Sequence, residues 1–251
     1  MNSYQKELAT LLATSKALYF AEDLVLKDGR PTPYFLNFGL FHSGKLISDL
    51  GKIMADFLVS TNTIDDFDVL VGPSYKGSAL AVATSIALFT RHQVDKGFDY
   101  NRKEEKSHGE ASLASTAFVT GVLKDESRVL IIDDVATTMK TKFDILGLLT
   151  AEAVKRGQSY YPAGVAMFID REQTTAVYDS SQNVKLGVKG QNSIKNFKIK
   201  TGLEVQTILG IRETVAYLAQ EKIPVLQNGT MKPLEKGTVD DLTSYLEIYG
   251  V

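Results

Sequence analysis

The 251-residue chain contains no cysteine. That absence excludes a disulfide scaffold, thiolate zinc sites and a cysteine nucleophile, and it is compatible with a reducing compartment. Nor is there a surplus of one charge. Lys and Arg number 28 against 30 Asp and Glu, a formal net charge of −2, so no global basic field exists to hold a nucleic-acid backbone. No apolar run is long enough to span a bilayer. The opening MNSYQKELATLLATSKALYF lacks the continuous apolar core of a secretion signal. The expectation is a cytoplasmic protein with neither nucleic acid nor membrane as partner. Internal repeats and low-complexity linkers are missing too. What remains, 44% hydrophobic and 23% charged, suits a folded domain rather than disorder. The length suits one large domain, or a domain with an added cap.

The first stretch, residues 3–18, reads as an amphipathic helix carrying Leu8, Leu11, Leu12 and Leu18. Residues 24–38, broken by Gly29, Pro31 and Pro33, read as short strands around a turn. A helical stripe follows at 45–59. Short apolar runs then alternate with helices. FDVLVG (67–72) precedes a small-residue helix from Gly77 to about Arg91, and FDYN (98–101) is a candidate strand. RVLII (128–132) precedes a helix from Thr141 to Arg156, with cations in its last turn and Gly157 beyond. AGVAMFI (163–169) is the third such run. This alternation indicates an α/β fold with a parallel sheet covered on both faces. In such folds the site lies beyond the carboxyl ends of the strands. Residues 172–203 show no clear period and read as a hairpin or extended loop; two helices are expected near 206–220 and 238–248.

The strand ends carry the chemistry. RVLIIDDVATTMKT (128–141) delivers Asp133 and Asp134 at a strand tip. Successive side chains on a strand point to opposite sides, so the two acids serve different partners. Carboxylates accept hydrogen bonds from vicinal ribose hydroxyls, and the turn beyond feeds a helix N-terminus whose free N–H groups suit a phosphate. A bare Asp-Asp also serves simply to end a strand and cap a helix. FDYNRKEEKSHGE (98–110) packs Arg102, Lys103, Lys106 and His108 into one run. Such cations stabilise a departing pyrophosphate, although a solvated loop of mixed charge reads the same way in isolation. VGPSYKGSALA (71–81) places Lys76 and Gly77 where a strand turns into a helix, a point charge beside a residue that permits close backbone approach. In LKDGRPTPYFLN (26–37), Lys27 and an aromatic pair border a tight turn, and Phe35 is either a stacking platform for a planar base or a core aromatic.

Taken together these segments, with GLFHSG (39–44), IDRE (169–172) and the closing YLEIYGV, resemble the orotate phosphoribosyltransferases of the type I phosphoribosyltransferase family. The motifs occur in the family's order from about residue 17 to 172. The resemblance implies one domain over 1–251. In it a central parallel sheet is flanked by helices under a small hood, drawn from about residues 1–40 and C-terminal parts. It implies transfer of phosphoribosyl from phosphoribosyl pyrophosphate (PRPP) to orotate, giving orotidine 5′-phosphate and pyrophosphate in de novo UMP synthesis. PRPP binding is implied for the loop Asp133, Asp134, Val135, Ala136, Thr137, Thr138, Met139, Lys140 and Thr141. Tyr75 and Lys76 would stand on the pyrophosphate side, with Arg102, Lys103, Lys106 and His108 on a catalytic loop. Orotate would meet Phe35, Leu36, Thr137 and Arg171, and Lys27 would line the reacting centre. Mg²⁺ is implied as cofactor, carried mainly by PRPP without direct protein ligands. A homodimer with shared sites is implied, as is association with the decarboxylase that acts next.

The chain departs from the family pattern twice. Where the phosphate loop normally has Gly and Thr, it has Met139 and Lys140, so either the loop follows another path or Lys140 supplies charge that backbone amides supply elsewhere. Ala111 and Ser112 replace paired glycines in the catalytic loop. A phosphoribosyltransferase for another base and a non-catalytic PRPP sensor on the same fold both stay open at this point.

Overall fold

The computed structural model describes residues 1–102 and 117–251. Five parallel strands form the central sheet: β3 (Val69–Gly72), β4 (Gly97–Tyr100), β5 (Ser127–Ala136), β6 (Tyr160–Asp170) and β7 (Val205–Gly210), in the order β4-β3-β5-β6-β7. The expected α/β class with a parallel sheet is therefore present. The strands are nearly continuous apolar runs because both faces are covered. Along β5, Val129 and Ile131 join one buried cluster with Ile145, Leu149 and Phe197. These last belong to α4 (Lys140–Arg156) and α5 (Ser193–Thr201). The intervening Leu130 and Ile132 join the other cluster, with Leu50, Met54, Leu80 and Leu88. Those lie on α2 (Gly44–Ser60) and α3 (Lys76–His92). Strand alternation thus sorts the core into two layers.

A second sheet caps this body. β1 (Leu18–Phe20) pairs antiparallel with β2 (Tyr34–Leu36) and parallel with β8 (Val225–Gln227), which turns back into β9 (Thr230–Lys232). Residues near both ends of the chain supply this sheet. Helix α1 (Ser3–Thr14) buries Leu8 and Leu12, while α6 (Ile211–Gln220) and α7 (Lys236–Tyr249) bring Val215, Leu218, Leu242 and Leu246 to the same cluster.

The differences from the sequence reading are local. The helix expected at 206–220 is strand β7 followed by α6, since VQTILG is a short β-branched run whose periodicity fits either state. The β8-β9 hairpin was not foreseen. In 24–38 one strand forms, β2, with an isolated Val25–Pro31 bridge before it. Residues 172–203 contain a small hairpin closed at Tyr178 and Val184, which the reading anticipated, and helix α5, which it did not.

Candidate active site

Because all five strands run the same way, their carboxyl ends meet along one edge of the sheet. Register makes the neighbours explicit: Gly72 stands beside Tyr100, and Ala136 beside Asp170. The chemically unusual strand ends Gly72–Lys76, Asp133–Thr141 and Asp170–Arg171 therefore meet there, with Asn101–Arg102, the described part of the expected segment 101–108.

The first turn of α3 lies directly on the end of β3. A Cβ on Gly72 would stand 1.9 Å from the Gly77 carbonyl oxygen, and one on Gly77 would stand 2.6 Å from Pro73 Cδ. Only glycine permits this approach, and it sets Tyr75 and Lys76 at the sheet edge. The Ser74–Tyr75 peptide is cis. Asn101 ties this turn to the next strand: its Oδ1 accepts the Ser74 N–H at 2.8 Å, and its carbonyl accepts the Ser74 hydroxyl. Arg102 continues from there, its N–H donating to the Ala117 carbonyl at 2.8 Å. Lys103, Lys106 and His108, together with Ala111 and Ser112, lie outside the described residues.

Alternation along β5 continues past the core to the acids. Asp133 points toward α4, where Lys142 Nζ meets its Oδ2 at 2.5 Å. Asp134 points the other way, and its Oδ2 accepts from Lys76 Nζ at 3.3 Å. Burial, then the charge of Asp133, push the Asp134 carboxyl above the usual carboxylate range, while Lys76 and Lys142 oppose the shift. Val135 and Ala136 are still strand residues and Thr137–Thr138 turn out of it. Met139 adopts the left-handed conformation, φ 61° and ψ 6°, that its glycine counterpart in the family would take freely. The cost for a side chain, about 1–2 kcal/mol, is offset by burial of Met139 against the α4-side cluster. Lys140 pairs with Asp144 at 2.9 Å across an exposed helix turn. Ser193, at the start of α5, donates its hydroxyl to the Thr137 carbonyl.

On the base side, Arg171 is 6% exposed, its guanidinium 4.8 Å from the Tyr34 ring centre. Its Nε donates to the Tyr34 hydroxyl at 3.2 Å, and its Nη2 has no acceptor among the described residues. Phe35 is half-buried with its ring 5.8 Å from Tyr19. Leu36, one residue on, faces the core instead. Exposed Lys27 sits in a tight turn closed by Gly29 N–H to Leu26 O at 2.9 Å. Behind it Arg30 is buried, bonded to Asp28 at 2.7 Å and to the Thr174 carbonyl at 2.9 Å. Burial would raise Asp28, but the hydrogen bonds and charge of Arg30 outweigh it and hold the carboxyl below its ordinary range.

Sequence reasoning passed over Lys142, Ser193 and the Asp28–Arg30 pair. Lys142 carried one signal: a cation in the first turn of a helix, where an acid is expected. Two grooves among the described residues lie elsewhere, about 490 Å³ between α1 and α2 and about 530 Å³ between α2 and α3, and neither includes the strand-end acids.

No family model matches the chain. The orotate phosphoribosyltransferase of Saccharophagus degradans is 34% identical over 254 residues, covering 100% of both chains. That of Pseudomonas aeruginosa is 33% identical over 222 residues, 88% of this chain and 91% of its own. Among solved structures, the Francisella tularensis orotate phosphoribosyltransferase aligns with TM-score 0.70 at 23% identity, covering 96% and 98% of the two chains. A Leishmania donovani UMP synthase aligns at 0.64 and 18% identity over 97% of this chain and 42% of its own, likeness of fold alone. With full-length relatives at this identity, the chain, its acid pair, cationic turn and buried arginine gathered at one sheet edge, belongs to the orotate phosphoribosyltransferase family.

Proposed function

We propose that the protein joins orotate to PRPP, forming orotidine 5′-phosphate and pyrophosphate in pyrimidine nucleotide synthesis. The observation that carries this reading is Arg171: a buried cation whose Nη2 has no acceptor among the described residues, beside the phosphate loop. A neutral purine does not call for such a group, whereas the carboxylate of orotate does.

In this reading the orotate ring nitrogen bonds to the ribose anomeric carbon as the bond to the pyrophosphate oxygen breaks, the electron pair leaving with pyrophosphate. Orotate lies against Phe35, with Leu36 lending backbone rather than side chain, its carboxylate on Arg171 and its edge near Thr137 and Lys27. The 5′-phosphate sits at the N-terminus of α4, where the loop Val135–Thr141 ends and the helix dipole favours an anion. Tyr75, Lys76 and Arg102 stand on the pyrophosphate side, with Lys103, Lys106 and His108 completing the charge around the leaving group. Catalysis then rests on positioning and on stabilising charge at the leaving oxygen. Mg²⁺ fits as a partner of PRPP: Asp133 and Asp134 each face a lysine, a setting that disfavours direct capture of a cation by the protein. When bound, Mg²⁺ would neutralise the pyrophosphate as it departs.

We further propose a cytoplasmic homodimer with shared sites, associating with the decarboxylase that acts next. Exposed Ile86 and Phe89 on α3, beside the groove between α2 and α3, support a subunit contact there. No helix among the described residues is long and apolar enough to cross a membrane.

The test is an absorbance assay of orotate with PRPP and Mg²⁺, run beside adenine, hypoxanthine and uracil. Turnover of orotate alone is expected. Turnover of another base would replace the substrate, and tight PRPP binding without turnover of any base would favour a regulatory protein. Lys106→Ala should lower kcat far more than it weakens orotate binding; equal losses would argue against its role at the leaving group.

A further inference from the structure

The two acids at the tip of β5 are equivalent in sequence and unlike in structure. Asp133 is 7% exposed and its oxygens are engaged: Oδ1 accepts the Asp134 N–H at 3.0 Å, and Oδ2 accepts Lys142 Nζ at 2.5 Å and the Thr141 hydroxyl at 3.3 Å. Lys142 is 2% exposed and also reaches the Val135 carbonyl at 3.4 Å. Asp134 has a looser shell. Its Oδ1 takes the Val135 N–H at 2.8 Å, and its other partner, Lys76, has a side chain 54% exposed to solvent.

The position of Lys142 is costly. A cation in the first turn of a helix opposes the helix dipole, and a buried ammonium without a counter-charge is more expensive still. Asp133 is the acid that offsets both. An anionic substrate can displace the exposed Lys76 from Asp134 at little cost, because an exposed ion pair contributes little. Drawing Asp133 away from Lys142 would leave a buried charge alone. Resting on the PRPP reading above, we propose that Lys142 is a positioning residue that commits Asp133 to the frame of the phosphate loop and leaves Asp134 as the carboxylate receiving the ribose hydroxyls. Lys76, released from Asp134 by that exchange, becomes available to the pyrophosphate. The family expectation of both acids on ribose is thereby divided between one that builds the loop and one that touches substrate.

The experiment compares Lys142→Met, Asp133→Asn, Asp134→Asn and the double variant Asp133→Asn/Lys142→Met, with Mg-PRPP as the varied substrate at saturating orotate. Lys142→Met should raise KM for PRPP by at least about tenfold, because the unpaired Asp133 charge then turns toward the substrate phosphates. The neutral double variant should return KM to within about threefold of wild type, and Asp134→Asn should raise it in either background. A double variant as impaired as Asp134→Asn would overturn the inference, as would Lys142→Met with a wild-type KM. Should Lys142→Met alone not fold, the double variant decides: a near-native KM supports the inference and a large rise overturns it. Wild-type turnover of orotate tests the underlying reading by itself, since the inference is read only from ratios between variants.

Discussion

At the scale of single residues, burial decides which polar groups matter. Arg171→Gln removes the buried cation whose Nη2 has no acceptor among the described residues. It should raise KM for orotate by about 10- to 100-fold, the worth of a charge-assisted pair, while leaving KM for PRPP close to wild type; steady-state kinetics with each substrate varied checks the split. Asp134 must be ionised to accept ribose hydroxyls, and its carboxyl titrates above the ordinary range. The sign follows: kcat/KM for PRPP should fall as pH descends, with a midpoint above the usual aspartate value of about 3.9. Asp134→Asn should abolish that limb in the pH profile. Met139→Gly relieves the left-handed strain but empties a buried volume. Large-to-small losses of about 2–5 kcal/mol exceed the strain, so the variant should unfold at lower denaturant than wild type. Met139 was recognisable in sequence as an anomaly, but its resolution was not, because burial at that side chain depends on α4 and the neighbouring strands rather than on anything within the motif.

Among the elements, the parallel strands and their helices were legible because each run is apolar, short and bounded by turn residues. Asp133 and Asp134 were assigned to opposite sides by strand geometry alone, and Lys142 and Lys76 on opposite layers realise that division. VQTILG was misread since its length suits strand and helix start equally, and parallel pairing with β6 settles it. The unassigned stretch 172–203 has no internal period because its partners are distant. The Thr174 N–H and hydroxyl both donate to the Tyr249 carbonyl, at 2.7 and 2.9 Å, and the Gly187 N–H donates to the Tyr249 hydroxyl. The Tyr249 ring also lies 5.3 Å from the Arg30 guanidinium. The end of α7 thus braces the turn bearing Lys27. Tyr249→Ala should lower the thermal midpoint and raise KM for orotate together, a coupling that calorimetry and kinetics on the same preparation would reveal; loss of stability with unchanged KM would separate α7 from the site.

For the molecule as a whole, the proposed subunit contact yields a direct expectation. Ile86→Glu, placed on the exposed side of α3, should shift sedimentation from twice the chain mass to the single chain, with activity falling in parallel if the sites are shared. The capping sheet carries a different implication. Tyr19 stands in register with Leu226, some two hundred residues away along the chain. During synthesis from the N-terminus, the β1-β2 pair must therefore wait beside the ribosome with a bare strand edge until nearly the whole polypeptide has emerged. Such an edge is a template for wrong partners, so nascent chains stalled before residue 225 should be protease-sensitive and prone to clump, and release of the β8-β9 hairpin should be the moment at which resistance is gained.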